Sequence, residues 1–309
     1  MASALHVVLY HHTRVPVDRY GGIERIVVWL GRALIALGHR VTLIAPPGSA
    51  IDGATLVPID PAITHRPGGV DLRPYLPPGM DILHAHAPLA RPPAVPFVWT
   101  FHGNLAPDHG FPANTIAISR DHAARHGIAR WVYNGLDPAE YQFAGAKKDF
   151  DLFLGRLHSV KGWQWAVEGA QRARHPIVIA GGWRPVLRRG VRMVGKVGGA
   201  EKRALLADAA CLWMPAQWDE PFGLTTIEAM VSGTPVLGTR RGALPEIVTP
   251  DAGLLGDTLD ELVDLRPALA ALDPEAIRAR VLHHFTHHIM AARYLEVYRE
   301  ILSEPIGAR

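Results

Sequence analysis

The sequence predicts an α/β fold of two domains with parallel sheets. Short apolar runs alternate with helical patterns along the whole chain, which is typical of parallel strands joined by crossover helices. In residues 23–37 apolar side chains recur every three or four positions and Gly38 follows as a stop, so a helix is predicted there. A chain of 309 residues is too long for one ordinary core, and two domains are therefore expected. The predicted strands cover residues 7–10, 41–45, 82–85, 97–101 and 115–119 in the first half and 151–155, 177–180, 211–215 and 235–238 in the second.

The domain boundary is predicted at the turn-forming cluster Asn134-Gly135-Leu136-Asp137-Pro138. The first domain then comprises residues 1–137 and the second begins at residue 138. Residues 46–79 are rich in Pro and Gly, which predicts loops and a shortened first domain. Near the end of the chain, residues 290–302 place their apolar side chains on one side of a helix.

Composition and charge narrow the classes of protein. The 32 Lys and Arg residues and 29 Asp and Glu residues are scattered, so no nucleic-acid-binding arm is predicted. The mild basic excess suits an anionic ligand or peripheral contact with an anionic membrane. Residues 1–10 lack the pattern of a signal peptide, and Arg25 and Arg32 interrupt the most apolar helix, so the cytoplasm is the expected compartment. Cys211 lies in an apolar run and is expected to be buried and inert.

The strongest chemical signal is the segment 219–230, DEPFGLTTIEAM, in which a Pro/Gly loop leads into a helix. Glu220 lies in the loop, and Glu228 lies about one turn inside the helix. The free amides at a helix start attract anions, so a diphosphate bound there would have Glu220 on its sugar side and Glu228 on its nucleoside side. An ionised Glu228 can accept hydrogen bonds from two vicinal ribose hydroxyls; taken alone, the spacing also fits a helix-capping glutamate beside a solvated one. The amides at this helix start belong to Phe222, Gly223, Leu224 and Thr225.

Two other segments predict phosphate contacts. In residues 153–162, FLGRLHSVKG, a strand ends at Gly-Arg and a helix is predicted to open at Lys161, so Arg156 and Lys161 converge on one strand-to-helix junction. The carboxyl ends of parallel strands are where α/β sheets bind ligands, and phosphate oxygens suit both a forked guanidinium and an ammonium. In Tyr20-Gly21-Gly22-Ile23-Glu24, at the start of the first helix, the glycines let amides approach an anion, although a plain turn fits as well.

These segments, together with Trp99-Thr100-Phe101-His102-Gly103 and residues 132–137, resemble the retaining GT-B glycosyltransferases of sequence family 4. The resemblance extends over nearly the whole chain, as far as residues 294–298. It implies two Rossmann-like domains that face a cleft, with a terminal helix, residues 288–305, that crosses back to the first domain. Residues 138–287 would bind the nucleotide-sugar donor, and residues 1–137 would bind mainly the acceptor.

The resemblance also implies roles for single residues. Arg156 and Lys161 correspond to the diphosphate clamp, and Gly22 would offer its amide to the phosphates. Glu228 would accept the ribose, whereas Glu220 would lie beside the transferred sugar. His102 matches the family histidine near the reaction centre, which contacts the donor sugar. The implied base-reading loop consists of Gly195, Lys196 and Val197.

The implied reaction moves a hexose-type sugar from a nucleotide diphosphate to a hydroxyl of a carbohydrate, lipid or natural-product acceptor with retention of configuration. Arg156, Lys161 and the helix amides would stabilise the leaving group as its charge grows. No enzyme nucleophile is evident, so the acceptor is expected to attack from the face of the leaving group, whose phosphate takes the proton. Because protein cations can neutralise that group, neither a metal nor another cofactor is expected. Two alternatives stay open, a sugar phosphorylase of the same fold and a non-catalytic nucleotide-sugar-binding protein.

Other candidate sites are weaker. Asp149-Phe150-Asp151 has the pattern of a metal-binding Asp-x-Asp but leads into a strand, so a structural role at the strand is favoured. His84-Ala85-His86 ends a predicted strand and is also expected to be structural. Neither a Gly-x-Gly-x-x-Gly fingerprint nor a P-loop is present, which disfavours a nicotinamide dehydrogenase and a P-loop kinase. Four histidines have spacings that could bind zinc, but a polar helix or turn surface is favoured; they are His283, His284, His287 and His288.

Overall fold

The computed structural model describes residues 3–17, 21–105 and 110–303 of the chain. These residues form two compact units. The first unit contains Gly21–Leu136 together with segments from both ends of the chain, and the second contains Asp137–Thr286. Tyr20, part of the predicted glycine motif, and residues 304–305 of the predicted terminal helix lie outside the described residues.

A seven-stranded parallel sheet is the centre of the first unit. Its first strand is buried at all five positions because both faces of a parallel sheet are covered. Residues 46–79, predicted as loops, contain a short strand and a one-turn helix. In chain order, the elements are β1 (His6–Tyr10), α1 (Gly22–Ala36), β2 (Arg40–Ala45), β3 (Thr55–Pro58), α2 (Pro61–Thr64), β4 (Ile82–Ala85), β5 (Phe97–Thr100), β6 (Thr115–Ala117), α3 (Arg120–His126) and β7 (Arg130–Trp131).

The second unit contains a six-stranded parallel sheet. Its core includes Trp213, Phe153 and Cys211, and the prediction that Cys211 is a buried thiol is confirmed. In chain order, the elements are β8 (Asp151–Leu154), α4 (Trp163–Arg172), β9 (Ile177–Ala180), β10 (Val191–Gly195), α5 (Gly199–Asp208), β11 (Cys211–Met214), α6 (Leu224–Val231), β12 (Val236–Thr239), α7 (Leu244–Ile247), β13 (Gly253–Gly256), α8 (Leu259–Leu265) and α9 (Pro274–His284).

The last helix, α10 (His287–Ser303), belongs to the first unit and packs against α1. Two of the four C-terminal histidines, His283 and His284, lie at the exposed end of α9, whereas His287 is buried and its backbone amide donates to the carbonyl of Leu136. Among the described residues, no group of three or more His, Cys, Asp or Glu side chains is arranged so that it could hold a metal ion. Within the same residues, no helix is both long and apolar enough to cross a bilayer.

Both sheets have the same doubly wound order. The first runs β3-β2-β1-β4-β5-β6-β7 and the second runs β10-β9-β8-β11-β12-β13. In each sheet the second and third strands are added on one side of the first strand, and the fourth strand is added on its other side. A crevice therefore opens at the carboxyl ends of β1 and β4 in the first sheet. In the second sheet it opens at the carboxyl ends of β8 and β11. Such switch points are where open α/β sheets bind ligands. The strand order therefore predicts a ligand site near Arg156, which follows β8, and near the loop that follows β11.

The predicted start of the helix after β8 is wrong. The second unit's first helix begins at Trp163 and not at Lys161, which lies in a short 3-10 turn, Ser159–Lys161. Gly162 between them has φ 72°, a left-handed conformation that interrupts the helix. A Cβ atom at this position would collide with the carbonyl oxygen of Pro215, so only glycine fits.

The carboxylate of Asp151 anchors the second sheet and explains the Asp-x-Asp pattern. It is fully buried and accepts hydrogen bonds from Trp213 Nε1 at 2.8 Å and from Arg266 Nη2 at 2.7 Å. Burial alone raises the pKa of this carboxyl, but hydrogen bonds from His175 and Arg266 outweigh burial and hold it below its usual value. Asp151 is therefore a structural ion-pair partner at the start of a central strand.

We expect Asp151→Ala to lower the free energy of unfolding by about 3–5 kcal/mol, because it leaves Arg266 buried without its partner. Chemical denaturation of the purified chain measures this loss. Asp208→Ala is the matched control, since Asp208 pairs with Lys148, whose side chain is 68% exposed, and such pairs contribute about 1 kcal/mol or less. Equal losses in the two variants would contradict the structural role of Asp151.

Candidate functional site

Two loops of the second unit meet at the switch point of its sheet. The loop after β8 contains Arg156 and Lys161, and the loop after β11 contains Glu220. The backbone amide of Gln217 donates to the carbonyl of Val160 at 2.7 Å. Together with the close approach of Gly162 to Pro215, this bond fixes the spacing of the loops. The backbone therefore brings the predicted cation and the predicted carboxylate to one place.

Lys161 and Glu220 are in direct contact. The Lys161 ammonium lies 2.7 Å from Glu220 Oε2, and the side chains are only 16% and 9% exposed. Trp218 Nε1 donates to the same oxygen at 2.8 Å, and the Trp218 ring lies 4.6 Å from the ammonium. An ammonium carries three N–H donors, and Glu220 is the only hydrogen-bond partner of Lys161 Nζ among the described residues. Two donors therefore remain for a ligand.

The loop before α7 contacts the backbone of Glu220. The amide of Ala243 donates to the Glu220 carbonyl at 2.9 Å. Gly242 has φ 58°, and a Cβ atom there would collide with the backbone of Glu220. Gly242 is therefore needed for the close approach, and the sequence motifs gave no indication of it.

The N-terminus of α6 has the geometry of an anion site. Gly223 precedes the helix with φ 86° and ψ 59°, and no side chain caps the helix. The amides of Leu224 and Thr225 donate no hydrogen bond to any described residue, and both residues are half-buried. Uncapped amides at a helix start bind anions through their N–H groups and the helix dipole.

Arg156 differs from Lys161 in its surroundings. Its side chain is exposed, and its guanidinium makes no ion pair with the described residues. The five N–H donors of a guanidinium suit a phosphate, which can accept two of them side by side. The second unit thus presents a paired and an unpaired cation on the loop after β8.

Glu228 is buried on α6 and has two partners that sequence reasoning missed. Lys202 Nζ on α5 lies 2.6 and 2.7 Å from its two oxygens, and the Tyr141 hydroxyl donates to Oε1 at 2.6 Å. A periodic signal for Lys202 existed, because it shares the buried face of α5 with Leu205 and Leu206. No local pattern indicated that this lysine or Tyr141 meets a glutamate.

The segment predicted to read the base follows β10. Gly195 closes that strand with φ 75°, and its carbonyl accepts from the Gly181 amide at 2.6 Å. This bond brings the ends of β9 and β10 together. Lys196 is exposed, whereas Val197 is buried, so only the lysine side chain is available to a ligand.

The remaining predicted residues, Gly22 and His102, belong to the first unit. Gly22 is the first residue of α1, which begins without a side-chain cap. The nearby carboxylate of Glu24 accepts a hydrogen bond from Thr13 at 3.2 Å. Gly22 therefore lies at a helix start without a side-chain cap, next to Gly21, which is close to the carboxylate of Glu24.

His102 follows β5 and is part of a group of histidines at the carboxyl ends of β1, β4 and β5. Its Nε2 lies 3.0 Å from Nδ1 of His86, and burial lowers the pKa of His102 to about 3. The imidazole of His102 is thus neutral near pH 7, and it can donate or accept a hydrogen bond but not supply a positive charge. His11 lies at the end of β1; it is buried, and neither of its ring nitrogens has a partner among the described residues.

A buried network supports this group from the last helix. His86 stacks on His84 at 4.0 Å between ring centroids. His84 in turn bonds the Tyr298 hydroxyl at 2.6 Å and Thr100 Oγ1 at 2.7 Å. The expectation that His84 and His86 are structural fits this arrangement, in which α10 helps to fix the ring against which His86 packs.

Comparison with known proteins identifies the family. Residues 20–138 match the family model described as Glycosyltransferase Family 4, and residues 151–272 match the one described as Glycosyl transferases group 1. The chain is similar to AviGT4, a glycosyltransferase involved in avilamycin A biosynthesis, with 30% identity and a TM-score of 0.78 over 97% of this chain and 98% of AviGT4. The predicted fold class, α/β with GT-B architecture, is confirmed by this likeness.

Two curated relatives are more distant. Glycogen synthase of Mycobacterium tuberculosis (strain ATCC 25618 / H37Rv) is 27% identical over 71% of this chain and 68% of the relative. The phosphatidyl-myo-inositol mannosyltransferase of Mycolicibacterium smegmatis is 25% identical over 92% and 91%.

The stability of the first unit is expected to fall in mild acid. Burial, followed by the neighbouring His12 and His102, lowers the pKa of His11 from 6.5 to about 3. Below pH 6.5 the unfolded chain therefore binds a proton at His11 that the folded chain does not bind, so the stabilisation is complete above pH 6.5 and is lost as the pH falls toward 3. Between pH 7 and 5.5 this loss is about 1 kcal/mol.

His11→Leu removes the titrating ring, and we expect its free energy of unfolding to fall less than that of the native chain over the same interval. His288→Gln, at an exposed position, is the control and keeps the native pH dependence. Denaturation curves at pH 7 and 5.5 make the comparison. If the free energy of unfolding of His11→Leu falls between pH 7 and 5.5 by as much as that of the native chain, His11 is not buried as a neutral group.

Proposed function

The chain belongs to the group 1 glycosyltransferases of family 4, and we propose that it moves a hexose-type sugar from a nucleotide diphosphate to an acceptor hydroxyl with retention of configuration. The observation that carries this proposal is the cluster at the switch point of the second sheet. There Lys161 pairs with Glu220, whose side chain lies close to Gly223 at the uncapped start of α6, and Arg156 is exposed on the same loop as Lys161. Glu228 is placed one turn farther along α6.

The cluster suits departure of a diphosphate. As the bond from the anomeric carbon to the phosphate oxygen breaks, negative charge grows on the leaving oxygen and positive charge on the sugar. Fixed donors that are already oriented stabilise such charge without reorganisation. Lys161 is held by Glu220 and needs little further ordering, whereas Arg156 is exposed and becomes ordered when the phosphate binds.

The acceptor step follows from the same charges. The acceptor hydroxyl attacks the anomeric carbon on the face that the diphosphate leaves, and its proton passes to the departing phosphate oxygen. Glu220 is assigned to the sugar side, where its carboxylate accepts hydrogen bonds from sugar hydroxyls. By family resemblance His102 also contacts the donor sugar, and its lowered pKa makes it a neutral hydrogen-bonding group.

Protein cations replace a metal in this proposal. Lys161 and Arg156 provide two positive charges for the diphosphate. Transfer is therefore expected to continue in the presence of a chelator. Conversely, a strict requirement for a divalent ion would contradict the assignment of these cations to the leaving group.

A sugar phosphorylase of the same fold is the second candidate, since inorganic phosphate would also fit the cations and the start of α6. Glu228 favours the nucleotide, because a buried carboxylate beside the anion site suits ribose hydroxyls and has no task in binding a free phosphate. One relative is named a glycogen synthase and another a phosphatidyl-myo-inositol mannosyltransferase. Peripheral contact with a membrane is therefore proposed only if the acceptor is a lipid.

Thermal-shift binding tests the donor site. We expect one of UDP, GDP and ADP to raise the melting temperature, with no effect of a chelator, and Glu228→Ala to abolish this shift because the ribose loses its acceptor. Glu296→Ala is the control, since Glu296 is an exposed residue of α10 paired with Arg293. Stabilisation by inorganic or sugar phosphate alone would favour the phosphorylase.

Turnover tests the residues assigned to the transferred sugar. We expect Glu220→Gln and His102→Ala each to lower kcat by about 100-fold or more, since contacts that strengthen in the transition state act on the chemical step. The affinity for the nucleoside diphosphate should stay within a few fold of the native value. Nucleotide release from a panel of nucleotide sugars measures the rate. Equal losses of turnover and of nucleotide affinity would refute these two roles.

A further inference from the structure

The ammonium of Lys202 is one of the most buried charges of the second unit. Its side chain is 11% exposed, and it lies on the face of α5 that also buries Leu205 and Leu206. A lysine stem is long enough to carry its ammonium to solvent. Here the ammonium instead lies against both oxygens of Glu228, at 2.6 and 2.7 Å.

Burial of this ion pair has a desolvation cost. Taking an ammonium and a carboxylate out of water carries a desolvation penalty that a buried ion pair seldom repays, and an apolar pair of the same size is often as stable. A leucine at position 202 would extend the apolar face of α5. A buried ion pair can be purely structural, as that of Asp151 and Arg266 is. The pair of Lys202 and Glu228 differs because its carboxylate is the one assigned to the ribose.

Recognition of a vicinal diol requires a carboxylate that is ionised and correctly turned. A protonated carboxyl has lost one acceptor, and a carboxylate free to rotate pays entropy when it binds two hydroxyls. Lys202 meets both requirements, because its charge favours the ionised form and its contacts with both oxygens fix the plane of the group. Tyr141 adds a third contact, from its hydroxyl to Oε1 at 2.6 Å.

We propose that Lys202 is a positioning residue that sets the preference of this site for ribose over deoxyribose by holding Glu228 ionised and oriented. The inference rests on the proposed function, in which Glu228 binds the nucleoside. Lys202 itself acts through the glutamate and needs no contact with the nucleotide.

A half-buried lysine of the same unit, Lys147, provides a matched control. Lys147 Nζ donates to the carbonyls of Ala207 and Ser232 at 2.8 and 3.0 Å and to Thr234 Oγ1 at 2.9 Å. These bonds join the ends of α5 and α6, the two helices that Lys202 and Glu228 also connect. Removing Lys147 therefore disturbs the same packing without removing a contact of Glu228.

The test is calorimetric binding of UDP and 2′-deoxy-UDP, with the corresponding GDP and ADP pairs run alongside. The native chain is expected to prefer the ribonucleotide by about tenfold or more, as for a lost hydrogen bond to a charged group. Lys202→Met should reduce this preference to less than about threefold while the deoxynucleotide binds nearly as before. Lys202→Arg, which keeps the charge, should retain most of the preference, and Lys147→Met should retain all of it.

If Lys202→Met does not fold, Lys202→Gln replaces it in the test, because the glutamine amide keeps one hydrogen bond to Glu228. Lys202→Gln should also lose most of the preference for ribose. A native preference that persists in the Lys202 variants and disappears in Glu228→Gln would overturn the role of Lys202 and leave the proposed function intact. A native chain that binds both nucleotides equally would instead refute the ribose role of Glu228. Absence of binding by every nucleotide would overturn the proposed function together with this inference.

Discussion

The contact between Lys161 and Glu220 is the interaction on which the account of the second unit depends. It joins the loop after β8 to the loop after β11, and both loops leave the sheet at its switch point. The backbone makes the contact possible, because glycines at positions 162 and 242 allow approaches that a Cβ atom would prevent. A cation and a carboxylate are thereby held together beside the uncapped start of α6.

The two units differ in the charge of their buried polar side chains. The second unit buries ion pairs, as between Lys202 and Glu228 or between Arg266 and Asp151. At the corresponding edge of the first unit, burial keeps the histidines neutral, and His102 has its pKa lowered to about 3. The charged surroundings in the second unit suit a diphosphate, whereas the neutral histidines of the first unit suit hydroxyl groups.

Much of the fold could be predicted because it depends on local patterns. Alternation of apolar runs with helical periodicity gave the α/β class, and the strands Ile82–Ala85 and Ile177–Ala180 have the predicted bounds. The start of α4 was misplaced because the left-handed conformation of Gly162 is imposed by Pro215, which is distant in sequence. The edge strands β3, β7, β10 and β13 were missed, since short and partly exposed strands carry little apolar signal.

The site was predictable only to the extent that motifs mark it. The segment 219–230 and the loop with Arg156 and Lys161 were found from their sequence. Partners contributed by other elements were not, because Lys202 and Tyr141 reach Glu228 from 26 and 87 residues away. The packing of His84 against α10 likewise depends on contacts that no spacing reveals.

Proton NMR of a nucleotide sugar incubated with the purified chain, with water as the acceptor, tests whether the sugar is transferred with retention. The anomeric signal reports both consumption of the donor and the configuration of the first product. We expect one α-linked nucleotide sugar to be consumed in the presence of a chelator, with the α configuration in the first sugar product. A β product formed first, or a panel of nucleotide sugars left unchanged while a sugar phosphate is formed from saccharide and phosphate, would contradict this expectation.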